Sequence, residues 1–249
     1  MATDVLAGLQ SVREALRAGR RRLDALWIRT PAPRGADELV ALAEAASVPV
    51  EWAQSSELEA GLPPGVRSQG LLLRAGPLPE LGLADALAFP VEEAPLLIAL
   101  DEVEDPQNVG AVARAAEGAG AAALILTRRR APPLSPAVSR ASAGAIEHLP
   151  VVRVPNLPRA LRSLGERGYW RLGGDSDPGA VPLEASADAL WTGPLVLVLG
   201  SEEHGLRPAV GREIDQRVRI PMRGRVAALN VGAAAAVLAF EAVRRRSKS

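Results

Sequence analysis

The sequence predicts an α/β protein with a mostly parallel sheet, preceded by a second, small α/β domain. Three observations carry this reading. Through residues 96–249, short runs that are apolar on both faces alternate with helical patterns, as in a parallel sheet covered by helices on both sides. A Pro-rich, weakly patterned stretch from Pro77 to Pro95 reads as a linker between this region and residues 1–76. The length, 249 residues at 48% hydrophobic and 23% charged, suffices for one large or two modest cores.

In residues 1–76, Leu6 to Ala18 and Ala36 to Ala46 space apolar side chains as helices do. Ala25 to Ile28, Val50 to Trp52 and Gly70 to Arg74 read as short strands. Beyond the linker, strands are expected at Leu96–Leu100, Ala122–Thr127, Leu149–Val154, Tyr169–Gly173, Leu195–Leu199 and Arg217–Pro221. Helices are expected at Val109–Gly118, Pro136–Ala145, Pro158–Arg167, Arg207–Ile214 and Leu229–Arg246. The last of these is apolar nearly all round from Val231 to Phe240, which predicts burial in the core or against a second subunit.

Composition removes several chemistries. There is no cysteine, hence no disulfide, thiolate catalysis or cysteine metal site. The two histidines, His148 and His204, are too few for a histidine metal centre. The longest apolar stretch, Gly232 to Phe240, falls well short of the roughly 18 to 20 residues of a membrane span, and the N-terminus has no signal-like apolar core. A cytoplasmic protein with no membrane partner is expected. The 29 basic and 29 acidic residues cancel over the chain, but residues 96–249 carry 20 basic and 16 acidic side chains against 9 and 13 in residues 1–95. The C-terminal part is therefore the better host for a polyanion. Arg17, Arg20, Arg21 and Arg22 form one basic cluster near the N-terminus that reads equally as a solvated helix end.

Ligands of parallel sheets sit at the carboxyl ends of strands. After Leu96–Leu100 comes Asp101-Glu-Val-Glu-Asp-Pro-Gln-Asn-Val-Gly-Ala-Val-Ala-Arg114. Asn108 falls where a helix N-cap is expected, and Arg114 has small alanine neighbours that leave it free to reach over the strand ends. The carboxylates Asp101, Glu102, Glu104 and Asp105 lack the spacing of a calcium loop and read as a solvated turn. The second segment, Gly200-Ser-Glu-Glu-His-Gly-Leu206, places small residues and Glu202 after a strand. The third, Ile220-Pro-Met-Arg-Gly-Arg-Val-Ala-Ala-Leu-Asn-Val231, leads through a polar turn into the last helix, with Asn230 near its start. No Gly-x-Gly-x-x-Gly follows a strand, and there is no P-loop and no Ser-His-Asp set.

In this order and at these distances the three segments closely resemble the TrmH/SpoU family of RNA ribose 2′-O-methyltransferases, in the SPOUT superfamily. Its first motif matches Asn108, Gly110 and Arg114. The second matches Gly200, Glu202, Gly205 and Leu206, and the third matches Ile220, Pro221, Met222, Leu229, Asn230 and Val231. Residues 139–157 also look like the family, and Gly8–Leu16 and Ser68–Leu72 are similar to the substrate domain of its RlmB-type branch, which methylates a guanosine ribose in the peptidyl-transferase region of 23S rRNA.

The resemblance implies a small L30e-like RNA-binding domain over residues 1–76 and a SPOUT catalytic domain over 96–249 with a C-terminal trefoil knot, where periodicity alone predicts an unknotted sheet. It implies S-adenosylmethionine as methyl donor and no metal, because a sulfonium is already an activated donor. The backbone of Gly200, Ile220 and Leu229 would hold the donor, with Gly205, Leu206, Pro221, Met222 and Val231 completing its pocket. Arg114 would activate the ribose hydroxyl, with Asn108, Glu202 and Asn230 orienting it and the ribose. The implied partners are 23S rRNA or a ribosome assembly intermediate, and a second copy of the chain joined through the knot region. Three positions depart from the family pattern: Ala228 and Gly232 stand where serines are usual, and Glu203 where glycine is frequent. Two rivals follow: methylation of a tRNA ribose, disfavoured because tRNA-specific relatives typically carry basic helical extensions, and a non-catalytic rRNA-binding assembly factor, disfavoured by the presence of Asn108, Arg114, Glu202 and Asn230.

Overall fold

The computed structural model describes residues 3–60 and 62–247. In chain order the elements begin β1 (Asp4–Ala7), α1 (Leu9–Ala18), β2 (Leu23–Arg29), α2 (Ala36–Ala45), β3 (Val50–Ala53), α3 (Ser55–Ala60), β4 (Leu71–Ala75) and α4 (Leu83–Leu87). They continue with β5 (Leu96–Asp101), α5 (Pro106–Gly118), β6 (Ala123–Thr127), α6 (Pro136–Ala141), β7 (Val151–Val154), α7 (Leu157–Glu166) and β8 (Trp170–Gly174). The last are β9 (Val181–Pro182), α8 (Ala189–Thr192), β10 (Leu195–Gly200), α9 (Pro208–Gly211), β11 (Gln216–Arg219) and α10 (Val231–Arg246). The chain divides into two compact units, one of residues through Pro79 with Pro133–His148, the other of Glu80–Pro132 with Leu149 onward.

The first unit holds a four-stranded sheet in the order β1-β4-β2-β3, parallel only between β2 and β3. Alternation along β2 sends Leu26 and Ile28 into a core with Val12, Leu16 and Leu39 of α1 and α2, while Trp27 faces a smaller cluster around Leu58 and Leu72. The segment 133–148 packs here through a buried ion pair. Glu147, in a 3-10 turn after α6, and Arg21 both have side chains only 1% exposed. Arg21 Nη2 donates to Glu147 Oε1 at 3.1 Å, and Nε lies 3.0 Å from Oε2 in poor alignment. Arg21 Nη1 also donates to Asp4 and to the Gly76 carbonyl, while Ser139 Oγ donates to Glu147. Elsewhere in the expected basic cluster, Arg17 pairs with Glu14 and Glu38, and Arg22 with Asp24. Most of its charge is therefore neutralised within the unit.

The second unit holds seven strands in the order β7-β6-β5-β10-β8-β11-β9, with neighbouring strands parallel throughout. Strands β5 and β6 are buried at every residue and β10 at all but its last, as their two-sided apolar runs predict. After β8 the chain inserts β10 between β5 and β8, then places β11 on the far side of β8. The stretch expected as a linker is partly built in from residue 80 onward. Leu81 bridges to β7, and Leu83, Leu87, Phe89 and Val91 pack on the core, because their apolar side chains are better buried than solvated.

Helix α10 packs along α5 and β10, and its last turn is fixed by polar contacts. Arg245 stacks over the fully buried Trp191, 5.2 Å from the ring centroid, and donates to Asp188 and to the carbonyls of Leu183 and Ser186. Arg246 donates to the carbonyls of Trp191 and Gly193. Hydrogen bonds from Arg244 above all, and from Arg245, hold the Glu241 carboxyl down to about 2 despite its partial burial.

Burial pushes the Glu147 carboxyl above its ordinary range, and Arg21 opposes that shift. Arg21→Ala leaves a buried carboxylate without its main partner, so a loss of about 3–5 kcal/mol is expected in the urea transition of the first unit near neutral pH. A group with a raised folded-state pKa weakens the fold above that pKa, and the penalty disappears where both states are protonated. The loss should therefore shrink as pH falls toward 4.5, the carboxyl's reference value; a loss independent of pH would contradict this account.

Candidate active site

A cavity of about 630 Å³ opens at the carboxyl ends of β8 and β10, beside the segment that joins β11 to α10. That is where a parallel sheet presents its ligand, and the volume is that of a small-molecule site. Its walls are the turn after β10, the loop from Ile220 to Leu229 and the first turns of α10.

The turn after β10 doubles back on itself. Ser201 and Gly205 form an antiparallel bridge, with Gly205 N–H donating to the Ser201 carbonyl at 2.8 Å. A Cβ on Gly200 would overlap the Gly205 carbonyl group, so residue 200 can carry no side chain. The far end of the turn is anchored by Arg207, whose backbone N–H donates to Asp101 Oδ2 at 2.9 Å and whose Nε donates to Oδ1 at 2.8 Å. The Asp101 side chain is fully buried. Arg207 also pairs with Glu102, which pairs in turn with Arg130. Of the carboxylates expected in a solvated turn, Glu104 and Asp105 are exposed, whereas Asp101 and Glu102 form an anchoring network whose cations their spacing gave no hint of. Among the described residues no group of His, Cys, Asp or Glu could hold a metal ion.

The other wall is set by two caps. Asn230 Oδ1 accepts from Ala233 N–H at 2.8 Å, capping α10, and Glu202 Oε1 accepts from Val231 N–H at 3.2 Å. Two of the first four N–H groups of the helix are thereby satisfied, and the turn after β10 is tied to α10.

Of the expected site residues, Gly200, Glu202, Gly205, Ile220, Met222, Leu229, Asn230 and Val231 all line the cavity. Leu206 packs into the core beneath it and Pro221 lies outside the lining. Asn108 and Arg114 sit on α5, also outside the lining. Asn108 is not the N-cap of that helix: Asp105 accepts from Gln107 N–H, and Pro106 opens the helix, as its fixed φ and missing N–H favour. Asn108 therefore stands within the first turn. Arg114 is exposed and makes no side-chain hydrogen bond or ion pair among the described residues. The two flank Ala111, where α10 crosses: a Cβ on Gly232 would lie 2.6 Å from the Ala111 Cβ. A serine at 232 does not fit this crossing, which explains that departure. Ala228 and Glu203 both line the cavity.

Gly174, Asp175 and Ser176, at the end of β8, complete the cavity. Their signal was position alone, a Gly-Gly-Asp-Ser run at the carboxyl end of an expected strand. Asp175 is paired with Arg217, but Glu202 and Glu203 line the cavity with His204 and no lysine or arginine, so it suits a ligand that carries positive charge on an otherwise small, partly apolar body. Gly200→Ala should force the turn open and speed amide hydrogen exchange at Gly205 and Val231 by about tenfold or more, a loss of over ~1.4 kcal/mol of local protection. Unchanged protection at both would show that the turn does not depend on the missing side chain.

Residues 95–240 match the SpoU rRNA Methylase family, and residues 5–81 match the RNA 2′-O ribose methyltransferase substrate-binding family. The chain is 38% identical over 244 residues to the 23S rRNA (guanosine-2′-O-)-methyltransferase RlmB of Pseudomonas syringae, covering 96% of this chain and 95% of that one. It is 37% identical to RlmB of Ralstonia nicotianae, covering 98% and 96%. Its structure is similar to the AdoMet-bound rRNA methyltransferase of Sinorhizobium meliloti, with a TM-score of 0.77 at 26% identity, covering 97% of this chain and 87% of that one. The turn at Gly200 and the segment from Ile220 to Val231, which form the cavity, lie inside the first of these matches, and the chain belongs to the SpoU rRNA methylase family.

Proposed function

We propose that this protein transfers a methyl group from S-adenosylmethionine to the 2′-hydroxyl of a guanosine ribose in 23S rRNA. The observation that carries the reading is the coincidence of the cavity with the second and third family motifs, in a chain whose relatives of 37 to 38% identity over nearly its whole length are named for this reaction. The donor fits what is present: carboxylates around a cavity without lysine or arginine suit a sulfonium, and the side-chain-free backbone at Gly200 leaves room for a close ligand. When bound, S-adenosylmethionine supplies an activated methyl group, so the reaction calls for no metal.

The chain's own residues have three tasks. Gly200, Ile220 and Leu229 present backbone groups to the donor, with Gly205, Met222 and Val231 beside them. Glu202 and Asn230 hold the start of α10 in place through the Val231 and Ala233 amides. A guanidinium, with an intrinsic pKa above ~12, stays cationic at any working pH, so Arg114 does not remove the hydroxyl proton as a base. It clamps the neighbouring phosphate and stabilises the oxygen as its proton passes to solvent water and the methyl group moves from sulfur to oxygen, a role for which its unpaired guanidinium is available. Asn108, on the same helix, assists in orienting the ribose.

The first unit presents the RNA and the region from residue 96 carries out transfer, in the cytoplasm where rRNA is made and assembled. The insertion of β10 between β5 and β8, followed by β11 beyond β8 and the return of α10 to α5, supports a trefoil knot in the C-terminal region. Val237 and Phe240 stay exposed on α10, which supports a homodimer joined there.

Arg114→Ala should fold and bind S-adenosylmethionine as the wild type does while methyl transfer falls by about 10²–10³-fold, measured by isothermal titration and tritiated methyl incorporation. Near-normal turnover would remove Arg114 from the mechanism. In cells, a map of ribose methylation in a strain lacking the gene should lose one guanosine mark in 23S rRNA, restored by the wild type and not by Arg114→Ala. An unchanged 23S map with a lost tRNA mark would transfer the activity to tRNA.

A further inference from the structure

Resting on the reading of this chain as an RNA methyltransferase, we propose that a second cleft, lined by Arg129, Arg130, Arg207 and Glu102 and flanked by Arg128, binds the phosphodiester backbone of the substrate RNA beside the cavity. The cleft, about 420 Å³, lies at the carboxyl ends of β5, β6 and β7. It shares with the cavity the segment after β10: Gly200–Gly205 lines one and Arg207 the other.

The loop that supplies the charge is held firmly. Arg153 of β7, its side chain 7% exposed, donates to the Thr127 carbonyl at 3.0 Å and to the Pro132 carbonyl at 2.6 Å, spanning both ends of residues 128–131. Its Nε pairs with Glu80. Arg128 N–H donates to the Val154 carbonyl, and Thr127 Oγ1 donates to the Arg129 carbonyl. With the backbone so fixed, the side chains of Arg128, Arg129 and Arg130 are left to the surface.

Residues 128–130 place three consecutive guanidiniums at the surface, a local concentration of positive charge. Glu102 pairs with Arg130 and Arg207, and Glu104 acts on Arg130 from farther away. Arg128 and Arg129 have no side-chain hydrogen bond or ion pair among the described residues. Arginines on a rigid loop with charge left over offer that charge to phosphates. A strand of RNA lying there would continue past Arg207 to the cavity.

The test compares wild type with Arg128→Glu/Arg129→Glu and with Arg128→Lys/Arg129→Lys, using a 23S rRNA transcript in filter binding and methyl transfer. The glutamate pair should weaken RNA binding by about tenfold or more, and should make the fall of affinity with salt shallower by roughly 0.7 in log–log slope for each phosphate that is no longer engaged. Its turnover at saturating RNA and its affinity for S-adenosylmethionine should stay within about twofold of wild type. The lysine pair, which keeps the charge, should retain most of the affinity and, being conservative, keeps the test valid if the glutamate pair unfolds. An RNA affinity and salt slope equal to wild type in the glutamate pair, or a folded lysine pair whose RNA binding falls by tenfold or more, would overturn the cleft while leaving the methyltransferase reading intact. A wild type that neither binds nor methylates the transcript would overturn both.

Discussion

The arrangement of the site depends on one buried carboxylate. Asp101 ends the interior strand β5 with its side chain out of solvent, an expensive position unless its charge is matched and its lone pairs are used. Arg207 meets both needs with a backbone amide and a guanidinium. Because Arg207 closes the turn that begins at Gly200, the pairing fixes where that turn lies relative to the sheet. The same guanidinium reaches Glu102, so the position of the cavity wall and that of the neighbouring basic loop are set by one connected network. Removal of any member would leave another buried or crowded without its partner.

Helix α10 provides the opposite wall, and it is held at both ends by different means. Its first turn is capped by Asn230 and tied by Glu202, while its last is held by Arg245 on Trp191 and by Arg246 on two carbonyls. Between them small residues let it approach α5 closely. A helix so constrained can give its N-terminal end to a ligand site without fraying.

The sequence made the fold class legible because β5, β6 and β10 are apolar on both faces, and few structures other than a covered parallel sheet bury such runs. It missed β1, because Leu6 and Ala7 continue the apolar spacing of α1 and so read as part of that helix, and β9, which at two residues is too short to show a period. The start of α5 was displaced because Asp105-Pro106 and Asn108 both carry cap chemistry, and only the geometry distinguishes them. Most of the cavity was legible because residues 200–205 and 220–231 are compact segments, whereas Gly174–Ser176 carried no signal beyond its place after a strand and the first segment lies outside the lining. The Asp101–Arg207 pair was not, since its members lie 106 residues apart and each, read locally, looks like an ordinary surface charge. For the same reason the cluster from Arg17 to Arg22 looked more available than it is: its partners Glu38 and Glu147 are remote in sequence.

The crossing of α10 over Ala111 has a further meaning for how this sequence can change. Positions 111 and 232 share one volume, filled by a single methyl group contributed by Ala111. A serine at the second position would force the two helices apart unless the first shrank to glycine, and glycine alone at the first would leave a void between the helices and add a flexible residue to α5. Neither single change is neutral, so each position limits what the other can carry.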